Sequence, residues 1–235
     1  MLASCDVEIG EETRADREAR RKERRNSLAL LAEAVRRIAE ATVTTNVEPK
    51  EIDRISEAVH RLAGDLERSS HPGPFSGLLG PDDIDPTRPG KTVPLSPWCG
   101  PFNPQAPPLT LRFENGEVHG RVELGKRYIG PPATAHGGVV AGIMDQVLAS
   151  AGYASGEAGV TATMEVRFRR PTPLFRELTL HGWAEARSVD ESKRIVHARI
   201  LSGEEVTAEA RAVVVRSKFK RHRPGKIPPD TPPTK

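Results

Sequence analysis

The stretch Tyr128-Ile129-Gly130-Pro131-Pro132-Ala133-Thr134-Ala135-His136-Gly137-Gly138, with the apolar run that follows it, decides how this chain is read. Pro131 and Pro132 forbid helix, the glycine pair lets backbone come close to a ligand, and Val139 to Ala151 consists of good helix formers. Free backbone N–H groups are therefore expected near Gly137 and Gly138, at the positive end of a helix dipole. Such donors suit an oxygen that gains negative charge during a reaction.

The predicted helix has two faces. Val140, Ile143, Met144, Val147 and Leu148 form an apolar stripe for a sheet to cover. Gly138, Ala141, Gly142, Asp145, Ala149 and Gly152 form a stripe of small residues broken only by the acid, so something is expected to pack closely there. Asp145 lies seven positions after Gly138, roughly 10 Å along the axis, too far to cap the helix start. Burial of an aspartate costs several kcal/mol unless it is paired. A solvated or salt-bridged residue and a functional acid both fit this position.

Downstream, Thr161-Ala162-Thr163-Met164-Glu165-Val166-Arg167-Phe168-Arg169-Arg170-Pro171-Thr172-Pro173-Leu174 completes the pattern. Together with His136-Gly137-Gly138 and Asp145, it resembles the hotdog-fold acyl-CoA thioesterases of the phenylacetate-pathway (PaaI-like) and THEM4-like group, over about residues 98 to 216. The resemblance implies an α+β hotdog fold, an antiparallel sheet wrapped around a central helix. It also implies roles: Asp145 as catalytic base or nucleophile, a backbone N–H at Gly137 or Gly138 polarising the thioester carbonyl, and Thr161 positioning water or the acid. Active sites of that family form between two subunits, so a homodimer or dimer of dimers is expected. The amide side chain that many bacterial relatives carry before His-Gly-Gly is missing from residues 130 to 135, which leans toward the THEM4-like version.

The same reading gives acyl-CoA hydrolysis as the expected activity, with coenzyme A entering as part of the substrate and no other cofactor. Two alternatives are a non-catalytic acyl-CoA sensor or scaffold and a hotdog enoyl-CoA hydratase; the second lacks an Asp-x-Asn-Pro-x-His-like segment here. His136 is read as fixing the loop through hydrogen bonds rather than as a base. Arg167, Arg169 and Arg170 either grip coenzyme A phosphates or keep an edge strand soluble, and Thr163 stands beside them as a further substrate-binding candidate. In β alternation Val160, Ala162, Met164, Val166 and Phe168 make the apolar face, and Thr161 heads the polar one.

Composition bounds the rest. At 235 residues and 37% hydrophobic content the chain supports one core of about 120 residues plus an appendage, and no apolar run approaches the roughly 20 residues of a membrane span. The first residues show no basic region followed by an apolar stretch, so a cytoplasmic protein is expected. Cys5 and Cys99 give no disulfide framework, and seven scattered histidines show no paired ligand motif; no metal is expected. Of the net charge of +3, residues 14–25 carry +4 and residues 216–235 carry +6, which leaves −7 on the remainder. The basic ends come without an aromatic stacking set, so no nucleic-acid partner is expected.

The organisation read from these patterns is a disordered N-terminus (1–13), a helical hairpin (14–68), a proline-rich linker (69–97), a hotdog domain (98–217) and a basic tail (218–235). Leu28, Leu31, Val35 and Ile38, then Ile52, Ile55, Val59, Leu62 and Leu66, repeat at helical spacing, with the break at Val47-Glu48-Pro49. The two helices are expected to pack on each other and on the catalytic domain or a partner chain. Eleven of the 21 prolines fall between Pro72 and Pro108, and Trp98 and Phe102 are expected to anchor that connector. Strands are expected at Leu109–Phe113, Val118–Leu124, Val160–Arg170, Leu178–Arg187, Arg194–Leu201 and Val206–Val215, the first two joined by a turn at Asn115-Gly116.

Overall fold

The computed structural model describes residues 13–69, 93–156, 159–185 and 192–216. The expected disordered N-terminus, most of the linker and the basic tail lie outside the described residues.

Helix α1 (Arg14–Thr44) begins at a capping box in which Thr13 and Asp16 satisfy each other's backbone N–H groups, and it runs unbroken through the charged Arg14 to Arg25 segment. Pro49 opens α2 (Pro49–Glu67). The sheet follows: β1 (Thr110–Glu114) and β2 (Glu117–Glu123) form a hairpin whose turn residues Asn115 and Gly116 both take positive φ, at 52° and 79°. The short strands β3 (Ile129–Gly130) and β4 (Thr134–Ala135) then deliver the chain to helix α3 (Gly137–Ala154). The long strands β5 (Gly159–Phe168), β6 (Glu177–Ala184), β7 (Lys193–Ser202) and β8 (Glu205–Arg216) complete one antiparallel sheet in the order β1-β2-β6-β7-β8-β5. Expected and observed strand ends differ by one to three residues.

The sheet curls over α3 along the predicted apolar stripe. Val140, Ile143, Met144, Val147 and Leu148 are buried against Val118, Val122, Leu178, Leu180, Val196 and Ile200, worth about 1.5–3 kcal/mol for each large side chain. Along β2, β6 and β7 every second residue points inward, so the opposite face of the sheet is polar and open to solvent.

Strand β5 departs from simple alternation. Thr161 pairs with Val214, but Thr163 pairs with Val213, so Ala162 is an extra, bulged residue. The bulge moves every later side chain to the other face. Thr161 shares the helix-facing side with buried Val214, and after the bulge Met164 and Val166 oppose buried Ala212 and Ala210 on that same side. Thr161 therefore does not head the polar face; it sits on the helix side of the sheet. As the outer strand of its sheet, β5 also leaves Val160, Met164 and Phe168 37–56% exposed.

The N-terminal helices do not dock as the stripe pattern suggests. Leu31, Val35, Ile38, Ile52, Ile55, Val59, Leu62 and Leu66 stay exposed, so neither stripe is covered by the other helix or by the sheet. Helix α1 meets the rest of the chain through the adjacent face: Ala32 is buried, and Arg36 donates to the carbonyls of Pro101, Asn103 and Ala106 at 3.0–3.2 Å. The Glu40 carboxylate accepts from the N–H groups of Lys126 and Arg127 at 2.6 and 3.2 Å, capping the short 3-10 turn Lys126–Tyr128 that leads into the site loop. Charge-assisted bonds to backbone hold this contact, and such bonds leave no hydrophobic periodicity in sequence.

Candidate active site

The loop before α3 is fixed on three sides. The N–H of Ala133 donates to Gly130, that of Ala135 to Thr172 and that of His136 to Tyr128, at 2.8–3.1 Å. A Cβ on Gly130 would stand 2.8 Å from the His136 Cα, so only glycine admits this crossing. Ala133 takes a positive φ of 66°, a left-handed conformation that costs an alanine energy and that the three bonds enforce.

His136 is the N-cap of α3. Its Nδ1 accepts from the Gly138 N–H at 3.0 Å, and its carbonyl accepts from Val139 and Val140. Of the first four N–H groups of the helix, three are used inside the chain. The fourth, the N–H of Gly137, has no acceptor among the described residues. The sequence left Gly137 and Gly138 as equal candidates; the cap leaves Gly137 as the free donor.

That donor opens on a groove of about 360 Å³ bordered by Pro132, Thr134, Val140, Phe168 and Arg170, with Arg169 beside it. The arginines are already engaged by acids of the sheet: Arg169 with Glu209 at 2.7 Å and Arg170 with Glu205 at 3.1 Å. Arg167 pairs with Glu165 at 2.8 Å and lies outside the groove, as does exposed Thr163.

Asp145 lies two turns further on. Thr161 Oγ1 donates to Asp145 Oδ1 at 2.9 Å, across the gap between α3 and β5. The structure thus brings Asp145 and Thr161 together and keeps Gly137 apart from them. Eight residues of helix place the Gly137 N–H about 12 Å from the Asp145 backbone, too far for both to touch one reacting carbonyl within a single chain.

The small-residue face of α3 is covered in part by the chain itself. A Cβ on Gly142 would lie 2.0 Å from the Trp98 ring, and Ser96 Oγ donates to Gln146 Oε1 at 2.8 Å. The connector thus seats its indole against the helix one turn before Asp145. Phe102 is half-buried in the same segment and donates its N–H to the Pro94 carbonyl. Behind it, Tyr128 is buried with its hydroxyl donating to the Gln105 carbonyl at 3.1 Å, and burial pushes its pKa up to about 12. Burial likewise raises the Cys99 thiol.

One helix wrapped by an antiparallel sheet, with a glycine pair at the helix start and an acid on its flank, is the hotdog arrangement. The sequence model of the thioesterase superfamily matches residues 133–188. A solved structure described as a thioesterase superfamily protein is 34% identical, with a TM-score of 0.67 over 80% of this chain and 90% of that one. The chain belongs to the thioesterase superfamily. More distant solved structures include the E. coli PaaI protein from the phenylacetic acid degradation operon (18% identity, TM-score 0.43, 47% of this chain and 80% of that one). Another is the smu.793 protein of Streptococcus mutans bound to acetyl-CoA (18%, 0.43, 46% and 88%). No curated protein matches the chain. Among the described residues no helix is long and apolar enough to cross a membrane.

Proposed function

We propose that this thioesterase-superfamily chain hydrolyses an acyl-CoA thioester at a site shared by two copies. The carrying observation is the Thr161–Asp145 hydrogen bond, set about 12 Å along α3 from a backbone N–H that has no partner among the described residues. Two half-sites on one helix fit together when a second copy presents its Asp145 to the first copy's Gly137. The open edge of β5 and its exposed Val160, Met164 and Phe168 supply a surface for that second copy, giving a homodimer or a dimer of dimers.

In this reading the acyl carbonyl oxygen accepts from the Gly137 N–H, where the helix dipole favours the charge that develops. Asp145 either takes a proton from the attacking water or attacks the carbonyl itself, and the Thr161 hydroxyl holds its carboxylate in line. The C–S bond breaks and the thiolate leaves and is protonated; where Asp145 is the nucleophile, water then cleaves the mixed anhydride it has formed, so that either route ends in the free acid and coenzyme A. Arg169 and Arg170, at the rim of the groove, stand where phosphates of the carrier would pass, at the expense of their present carboxylate partners. A panel of acyl-CoA thioesters of varied length and aromaticity, followed by thiol release, tests the proposal; a chain that turns over none of them, while Asp145→Asn binds them no differently, overturns it.

A further inference from the structure

The face of the sheet turned away from α3 carries a second constellation that takes no part in the helix-side chemistry. Alternation along β2 buries Val118 and Val122 and sends Glu117, His119 and Arg121 outward; along β6 it buries Leu178 and Leu180 and sends His181 and Trp183 outward. The β2–β6 register sets His119 directly opposite His181, with Glu117 two residues before His119 on the same face. One ligand atom from each of the three residues lies within 4.8 Å of the others. His181 Nε2 is 2.7 Å and His119 Nε2 3.8 Å from the Glu117 carboxylate.

We propose that Glu117, His119 and His181 form a binding site for a divalent transition-metal ion of the zinc type, with one coordination position left to solvent. Two imidazoles and one carboxylate are a donor set suited to borderline cations and unsuited to magnesium or calcium, which take oxygen ligands. Two residues i and i+2 on a strand plus a cross-strand neighbour put three donors at the corners of one triangle, one face of a tetrahedron. Metal–ligand bonds of about 2.0–2.2 Å bring such donors to within about 3.5 Å of each other, so the cluster has to close by about 1 Å. The imidazoles stack at 4.8 Å with their planes 14° apart, and one ring must turn for both lone pairs to meet the ion. The room exists, because His119 is 34% exposed and His181 20%.

The acids favour the same occupant, against the field of Arg112 opposite His119 and of Arg199 opposite His181, whose guanidinium lies over the Trp183 ring. Glu117 stands directly opposite Glu114, an unfavourable cross-strand pair, and Arg112, which faces His119, engages Glu114 only at 3.6 Å. A doubly charged cation offsets that repulsion. On the other side Trp183 stacks on His181 at 4.9 Å and on His197 at 5.3 Å, while Glu185 holds His197 at 2.9 Å and keeps it out of the cluster. Ligation needs the Nε2 lone pairs of both imidazoles, so the hydrogen bond between His181 and Glu117 gives way to the ion, with the remaining ring proton on Nδ1.

The test uses the full chain, stripped with a chelator and titrated with Zn²⁺ by calorimetry and with Cu²⁺ by tryptophan fluorescence. One ion per chain is expected. Affinity should fall at least about 10-fold in His119→Ala and in His181→Ala, with circular dichroism unchanged. Glu117→Gln, nearly isosteric, should weaken binding even where an alanine variant fails to fold. Trp183→Phe should keep the stoichiometry and lose most of the fluorescence response. Equal Zn²⁺ affinity in the parent chain and in Glu117→Gln and both histidine variants, or no saturable binding by the parent, overturns the site.

Discussion

Thr161 donates its hydroxyl proton to Asp145 across 2.9 Å, and it reaches that acid only because Ala162 bulges out of the β5–β8 ladder. Were Ala162 paired in the ladder, unbroken alternation that keeps Met164 and Val166 against the sheet's apolar side would point Thr161 to solvent. The bulge lets one strand serve both packing and site.

Asp145→Asn should fold normally and lose at least about 100-fold in kcat, the lower range for a positioned acid or base. Thr161→Val removes only the group that orients the carboxylate and should lose less, about 10-fold. Near parental turnover in Asp145→Asn would sink the mechanism.

Gly142 is needed as a glycine by the Trp98 ring lying against it. Gly142→Ala should lower stability by about 1–3 kcal/mol, the usual range for overpacking. The combination with Trp98→Leu should recover part of the loss, since the smaller side chain vacates the space. Denaturant unfolding of the two singles and the double closes the cycle, and strict additivity would show that the two residues do not meet.

Tyr128 gives a pH-dependence of definite sign. Burial raises its folded-state pKa to about 12 from an unfolded value of 10.0, so the neutral phenol is bound more tightly in the native chain. The corresponding stability is fully present below about 10 and is lost as pH rises toward about 12. Tyr128→Phe should flatten the fall in melting temperature over that alkaline window, on top of a pH-independent loss from the missing bond to the Gln105 carbonyl. A parental melting curve that already matches Tyr128→Phe across the window contradicts the assignment.

Helix α1 is tied to the segment that carries the site. Arg36→Ala removes the donor shared by four connector carbonyls and should cost about 1–3 kcal/mol. Glu40→Ala uncaps the turn leading through Tyr128 to the loop before α3, and should loosen that loop as measured by hydrogen exchange at His136. Removing residues 1–68 takes both contacts away. Such a truncation should therefore lose stability along with any effect on assembly, with kcat of the folded fraction staying within a few-fold.

What sequence made legible were features of local period and local chemistry. The α3 stripe, the Asn115-Gly116 turn and the strands follow from spacing that each segment carries alone. Glycine-rich lead-in and lone acid mark the candidate site for the same reason. Three features escaped because they depend on register or on distant partners. The bulge at Ala162 adds one residue to an apparently regular alternation, and nothing within the strand announces it. His119 and His181 are 62 positions apart and meet only through the β2–β6 pairing. Arg36 and Glu40 act on backbone groups of a segment more than sixty residues away, leaving the Leu, Ile and Val stripe, the louder signal, facing outward.

Gly137 allows a test of whether two chains share a site. As the first residue of α3 it can accept proline, since His136 already has the extended φ and ψ of −62° and 136° that a following proline requires. Gly137→Pro removes the free N–H and nothing else from the helix, and should lose about 100- to 1,000-fold in kcat, as for deletion of one oxyanion donor. Gly137→Ala, whose Cβ would meet Phe168 at an ordinary 3.5 Å, should stay close to the parent. Co-expression of Gly137→Pro with Asp145→Asn then separates one-chain from two-chain sites. In a mixed dimer one site combines both defects and the other combines an intact Gly137 with an intact Asp145, so random pairing should restore about a quarter of parental activity. Activity that stays at the level of the single variants, in a sample shown by mass to contain mixed dimers, means that each chain works alone and that the two half-sites on α3 have been joined wrongly.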